Sequence, residues 1–173
     1  GTPDVVGYTI GSIKRKLGNI SGTVIINNKK FYPQVVSALL LSHLKKQAEQ
    51  HFNTKFEKAV IAVPANFNAH QRESVKEAAE LAGLIPIRIV NEAVAASLCY
   101  AYSASGHSDR TILVIDFGGG TLDVILVTIS GVNQDVCLQV HTTSGDSKLG
   151  GDDFTDILKD YIVKCCKEKS KTI

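Results

Sequence analysis

Cysteine is scarce and irregularly spaced in this chain, with four residues in 173: Cys99, Cys137, Cys165 and Cys166. No C-x-x-C pair is present, so neither zinc nor redox exchange is suggested, and the count is too low for a disulfide framework. The four read as reduced thiols, mostly in the core, with one of Cys165 and Cys166 facing inward on the last helix and the other outward. No apolar run approaches the ~20 residues needed to span a bilayer, and the N-terminal residues lack a secretory pattern. Polybasic runs and aromatic-basic ladders are absent and the net charge is only +2, which argues against nucleic acid as the main partner. There is no low-complexity tract. What is there, 44% hydrophobic and 21% charged, is the balance of a folded globular chain rather than a disordered one.

Length alone suggests one domain with one ordinary core, but the patterning changes partway along. The first third reads as a short ordered segment (5–17), a hairpin-like stretch in "TVIINNKKFY", and a helix from Pro33 to about Phe52. Asn27-Asn28 tolerates the positive φ of a tight turn, Pro33 suits a first helical turn, and Val36, Leu39, Leu40 and Leu44 recur at helical spacing. Next come "KAVIAV" (58–63), a helix from near Asn68, "IPIRIV" (85–90) and a helix from near Asn91. Asn68 with Gln71 three residues on has the pattern of a capping box, and Gly83 is placed to end that helix. Strand, helix, strand, helix in this order predicts a sheet with parallel neighbours.

The small polar segment "SASGHSD" (103–109) marks a link. Beyond it, strands at 111–116, 122–129 and 135–141 follow one another closely enough to be hairpins. A final helix carries Phe154, Ile157, Leu158, Tyr161, Ile162 and Cys165 on one stripe. Three strands and one helix make an incomplete second unit.

Between the first two of those strands stands "DFGGGTLDV" (116–124). Glycine allows positive φ and removes the side chain, so Gly118-Gly119-Gly120 can bring a ligand against backbone N–H groups, which form an anion site where they converge. Phosphate fits such a site. A polyphosphate comes with a hard divalent ion, held by one or two carboxylates and water, for which Asp116 and Asp123 are the right type; Thr121 adds a hydroxyl. The bland alternative is a hairpin whose glycines serve turn geometry alone. Asp116-Phe117-Gly118 looks like the kinase metal-binding triplet, but no kinase glycine loop, V-A-I-K strand or H-R-D loop precedes it, and no Walker-type G-x-x-x-x-G-K-[ST] is present. A second pair, Gly150-Gly151 in "SGDSKLGGDDF", precedes the last helix, where unpaired N–H groups and the positive dipole end favour phosphate.

"VIAVPANFNAHQRESVKEAAELAGLIPIRIVNEAVAAS", "VIDFGGGTLDV" and "SGDSKLGGDDF" together closely resemble the nucleotide-binding domain of the seventy-kilodalton heat-shock chaperones, ATPases of the actin and hexokinase superfamily. The resemblance runs nearly end to end and is weakest before Lys14 and across 19–30. It implies an α/β, actin-like (ribonuclease H-like) ATPase fold of two lobes, with residues 1–106 in the first and 107–173 in the second, and ATP or ADP with Mg2+ in the cleft between them. It also implies roles. Lys14 in "SIKRKLG" matches the family's catalytic lysine, which helps to position the attacking water; Glu92 in "VNEAVAA" matches the acid at the base of the cleft; Asp116 matches the aspartate near magnesium and water. Gly118, Gly119, Gly120 and Thr121 match the phosphate-contacting turn, with Thr121 counted in the catalytic set. Asp123 lies close to the metal, and Gly151 matches a further phosphate contact. Pro64 and Arg72 match residues that relay nucleotide state to a peptide-binding domain, and Arg88 and Asn91 match a surface for J-domain co-chaperones. A nucleotide-exchange factor is the other implied partner; unfolded peptide is bound through a domain that is missing here.

Without the resemblance, Lys14 is a solvated lysine in a run of three basic residues, Glu92 a favourable first-turn acid, Asp123 an exposed strand residue, and the four partner residues a strand-ending proline and solvated polar side chains. The sequence also departs from the family pattern. Ala93 and Val94 replace the proline and threonine of N-E-P-T-A-A-A, and Ala69 stands where an aspartate is usual. A D-L-G-T-T phosphate loop, a late adenosine motif, the helical subdomain that clasps adenine and a peptide-binding domain are all missing, so each sheet lacks strands and should expose edges and apolar faces. The 173 residues alone are expected to bind ATP weakly and hydrolyse it negligibly. A non-catalytic module that binds nucleotide or co-chaperone without turnover is the alternative. A sugar kinase of the same superfamily is a third, disfavoured by "SKLGGDDF" and "VNEAVAA".

Overall fold

The computed structural model describes residues 10–19, 22–26, 28–103, 109–131 and 136–170. Its packing forms two compact units: Gly1–Val63 with Phe67–Asn91, and Pro64–Asn66 with Glu92–Ile173.

In the first unit a 3-10 turn (Ile13–Lys16) is followed by an antiparallel pair, β1 (Val24–Ile26) and β2 (Lys29–Phe31). Asn28 has φ 61°, as an Asn in a tight turn can; Asn27 lies outside the described residues. Helix α1 (Pro33–Phe52) begins with proline in its first turn and ends at Asn53 in the left-handed region, whose N–H donates to the Glu49 carbonyl. Strands β3 (Lys58–Val63) and β4 (Ile85–Asn91) pair in parallel from Lys58↔Ile85 to Val63↔Asn91, with a bulge at Ala59/Val60. Helix α2 (Ala69–Leu81) makes the crossover that a parallel pair requires.

The capping box on α2 is formed in both directions: Gln71 N–H donates to Asn68 Oδ1 at 2.9 Å, and Asn68 N–H to Gln71 Oε1 at 2.9 Å. Asn68→Ala should cost about 1 kcal/mol in urea denaturation, with the first turn of α2 losing amide protection before the rest. At the other end Gly83, with φ +71°, lets Gly83 N–H and Leu84 N–H close back on Glu80 and Ala79 carbonyls. The core of this unit joins Leu17, Val63, Phe67 and Val75, with Ile61 and Ile89 against them.

The second unit is an antiparallel meander, β5 (Arg110–Phe117), β6 (Leu122–Ser130) and β7 (Cys137–Asp146), with α3 (Glu92–Ser103) on one face and α4 (Gly151–Ser170) after it. Ala93, Ile125 and Val127 are buried together, flanked by Val94, Ile112, Val114 and Leu138. Alternate β5 residues point the other way, and Leu113, Ile115 and Phe117 are exposed. Packing therefore groups α3 with the meander, dividing the units at Asn91/Glu92, whereas the sequence-based lobe boundary near 106 puts α3 with the first lobe; 104–108 lie outside the described residues.

Apolar faces are exposed, as expected where sheets lack strands, and the expectation for the cysteines is corrected. The α4 stripe (Phe154, Ile157, Leu158, Tyr161, Ile162) does not pack the sheet and is exposed, touching it through an edge-to-face contact of Phe117 with Phe154 at 5.8 Å. Leu39, Leu40 and Leu44 of α1 are exposed likewise. The cysteines are not core thiols: Cys99, Cys137 and Cys166 are exposed and Cys165 is half-buried. No helix among the described residues is long and apolar enough to cross a membrane.

Candidate functional site

The carboxylates come first, because strand register places them. Asp116 and Asp123 are directly opposed across β5 and β6. Opposed residues leave the sheet on the same face with Cα atoms about 4.5–5.5 Å apart, and like charges so placed repel. Asp123 is not the exposed strand residue that its alternative reading expected. It is fully buried, its Oδ1 accepts the Ala65 N–H at 2.7 Å, and its Oδ2 has no hydrogen-bond partner among the described residues. Asp116 is half-buried. Two facing acids, one with an orphaned buried oxygen, fit a cation. Among the described residues no group of three or more His, Cys, Asp or Glu side chains could hold a metal ion, so an ion at this pair would keep most of its water, as magnesium does.

The turn between the strands is closed by Gly118 N–H donating to the Thr121 carbonyl at 3.0 Å; Thr121 itself is buried. None of Gly118, Gly119 and Gly120 has positive φ, so left-handed backbone is not why they are glycine. Packing among the described residues is not the reason at 118 or 119 either. A Cβ on Gly118 would find only the Thr121 carbonyl oxygen, at 3.7 Å, and one on Gly119 only Asp152 Oδ1, at 3.9 Å, both ordinary contacts. Both residues are exposed. The missing side chains leave the backbone of Gly118 and Gly119 uncovered.

Gly150 and Gly151 meet this turn, and here another expectation is corrected. The N–H groups at the start of α4 are not unpaired: Gly151 N–H donates to the Gly118 carbonyl at 3.0 Å and Asp152 N–H to the Gly119 carbonyl at 2.8 Å. Gly150 N–H donates to Asp153 Oδ2 at 2.7 Å, and Asp153 N–H returns to the Gly150 carbonyl at 3.1 Å. The helix is capped by the turn and by Asp153. Gly150 must lack a side chain, since a Cβ there would lie 2.5 Å from the Gly119 carbonyl oxygen and 2.6 Å from Gly120 N.

Glu92 opens α3 and is half-buried. The second unit thus holds Glu92, Asp116, Gly118, Gly119, Gly120, Thr121, Asp123, Gly150 and Gly151, together with the buried Pro64. Lys14, Arg72, Arg88 and Asn91 belong to the first. Lys14 lies in the 3-10 turn, which is anchored by buried Leu17 and by Gly18, with φ +79°, where a Cβ would run into the Gln71 side chain. Arg72 Nε donates to the Phe67 carbonyl at 3.0 Å; Arg88 is exposed on β4, and Asn91 is its last residue. Sequence reasoning missed Ala65, 58 residues from its carboxylate partner. It also missed Asp153, although an acid three residues after a cap position is a readable signal.

The sequence model described as "Hsp70 protein" matches residues 5–172. A curated relative, the chaperone protein DnaK of Mycoplasmopsis agalactiae, is 42% identical over 164 residues, 95% of this chain and 26% of that protein. The chain thus spans about a quarter of the length of that relative. With the family match covering nearly every residue, this α/β chain is part of an actin-like nucleotide-binding domain and belongs to the Hsp70 family.

Proposed function

We propose that this chain is a portion of the ATP-binding and ATP-hydrolysing domain of a chaperone, in which hydrolysis is coupled to protein folding. The observation that carries this reading is the turn at 118–120, where glycine at 118 and 119 answers neither to backbone φ nor to packing among the described residues. Proteins of the Hsp70 family bind ATP or ADP with magnesium. Gly118, Gly119 and Gly120 let the phosphates approach the backbone, with Thr121 beside them. Gly150 and Gly151 act through the turn, letting it lie on the start of α4. Asp116 and Asp123 hold the hydrated ion, which when bound neutralises phosphate charge during transfer. Lys14 helps to position the attacking water, and Glu92 is the acid at the base of the site. Lobes dividing near residue 106 belong to the same reading.

Relay from nucleotide to a peptide-binding domain runs through Pro64 and Arg72, and Arg88 with Asn91 offers a surface to a J-domain; a nucleotide-exchange factor completes the set of partners. The test is a titration of the 15N-labelled chain with millimolar Mg-ADP. Weak binding that perturbs the amides of 116–123, and is lost in Asp116→Asn, is expected. No perturbation there would overturn the phosphate reading, and rapid ATP turnover abolished by Asp116→Asn would overturn the incompleteness of this chain as an enzyme.

A further inference from the structure

Among the ten residues of β7 there is one glycine, Gly145, and the register of the strand brings it to the acid pair. β6 and β7 pair as Val127↔Val140 on one side of a bulge and as Leu126↔Thr142 on the other, so His141 is an extra residue on β7. Without that extra residue Ser144 would stand opposite Asp123. With it Gly145 does, and Asp116, Asp123 and Gly145 form one row across the three strands.

Backbone φ is not why residue 145 is glycine, since its φ is not positive. The reason is contact. A Cβ at 145 would run into the Leu122 carbonyl oxygen, and would lie 3.3 Å from the Leu122 carbonyl carbon and 3.2 Å from Asp123 Cα. All three atoms are backbone of β6, which cannot turn aside as a side chain can, so the absent side chain is what lets the two strands lie this close beside the acid. Gly118 and Gly119 differ, because a Cβ there would make only ordinary contacts.

We propose that Gly145 is a positioning residue for the divalent-ion site: by admitting β7 against Leu122 and Asp123, it fixes the backbone from which the Asp123 carboxylate stands opposite Asp116. This rests on the reading of Asp116 and Asp123 as the ion's ligands. Alanine at 145 must push β7 off β6 or shift Leu122 and Asp123. Asp123 is fully buried, and in a close-packed site a displaced carboxylate has no free space in which to regain its place. Magnesium demands near-ideal geometry of the one or two carboxylates that hold it, so the displacement lowers ion affinity.

The 173-residue chain tests this without any measurement of turnover. In wild type, replacing a small part of the magnesium in Mg-ADP by manganese should broaden the Gly145 amide together with those of Asp116 and Asp123. Gly145→Ala should raise the Mg-ADP concentration at half response of the 118–121 amides about tenfold or more, and should move the 13C resonance of the Asp123 carboxyl before any ligand is added. Ser144→Ala, the neighbouring change on the same strand, should alter the half response by less than about twofold and leave that resonance in place. A folded Gly145→Ala chain that is less stable yet keeps the wild-type half response and carboxyl resonance overturns the positioning role, and so does an equal loss of response in Ser144→Ala. If Gly145→Ala does not fold, the manganese experiment on wild type decides. Broadening at all three residues supports the proposal, whereas broadening at 116 and 123 with Gly145 sharp overturns it and leaves the ion reading standing. No response anywhere in 116–123 of the wild-type chain overturns the ion reading itself.

Discussion

Alanine at Gly150 should lower the stability of the second unit by about 2–3 kcal/mol, whereas alanine at Gly119 should change it by less than about 0.5 kcal/mol. At 150 the added carbon would meet backbone, the Gly119 carbonyl oxygen at 2.5 Å and Gly120 N at 2.6 Å, which cannot swing aside as a flexible side chain can. The turn would have to lift from α4, breaking the bonds from Gly151 and Asp152 amides to the Gly118 and Gly119 carbonyls. At 119 the new methyl has room, and restricting the unfolded chain offsets any small loss. Chemical denaturation combined with hydrogen exchange at β5, β6 and α4 amides separates the two. If Gly119→Ala proved the more damaging, the turn would not sit on α4 as described. A larger residue carries the argument to binding: Gly119→Val should stay folded yet lose the Mg-ADP response at 118–121.

Phe67→Ala should remove about 3–5 kcal/mol from the first unit. Phe67 is 6% exposed and shares its cluster with Leu17, Val63 and Val75, so few small shifts could fill the void. Set against the ~5–15 kcal/mol total of an ordinary domain, that leaves the unit near its unfolding threshold. Exchange protection in β3, α2 and β4 should fall together. A measured loss under about 1 kcal/mol would mean that this ring is not the centre of the cluster.

What could be read from the sequence was local. The capping box at Asn68 and Gln71, proline in the first turn of α1 and the helix-ending Gly83 each involve residues a few positions apart, and all stand as expected. The parallel order of β3 and β4 followed from the helix between them. Periodicity marked the apolar stripe of α4 correctly as a stripe, but a stripe does not state what covers it, and Phe154 and Tyr161 are exposed. Gly118 shows the same gap in another form: permissiveness in φ was legible, but this backbone does not use it. Ala65 left no mark, since a backbone amide meeting a carboxylate 58 residues away has no signature in residue type.

The carbonyls of Gly118 and Gly119 accept from the first amides of a 20-residue helix, so turn and helix are joined end to end. Such a helix is about 30 Å long, and a tilt of about 10° at its root would sweep the far end through about 5 Å. A displacement too small to see at the glycines would thus arrive at Lys167 as a lever stroke.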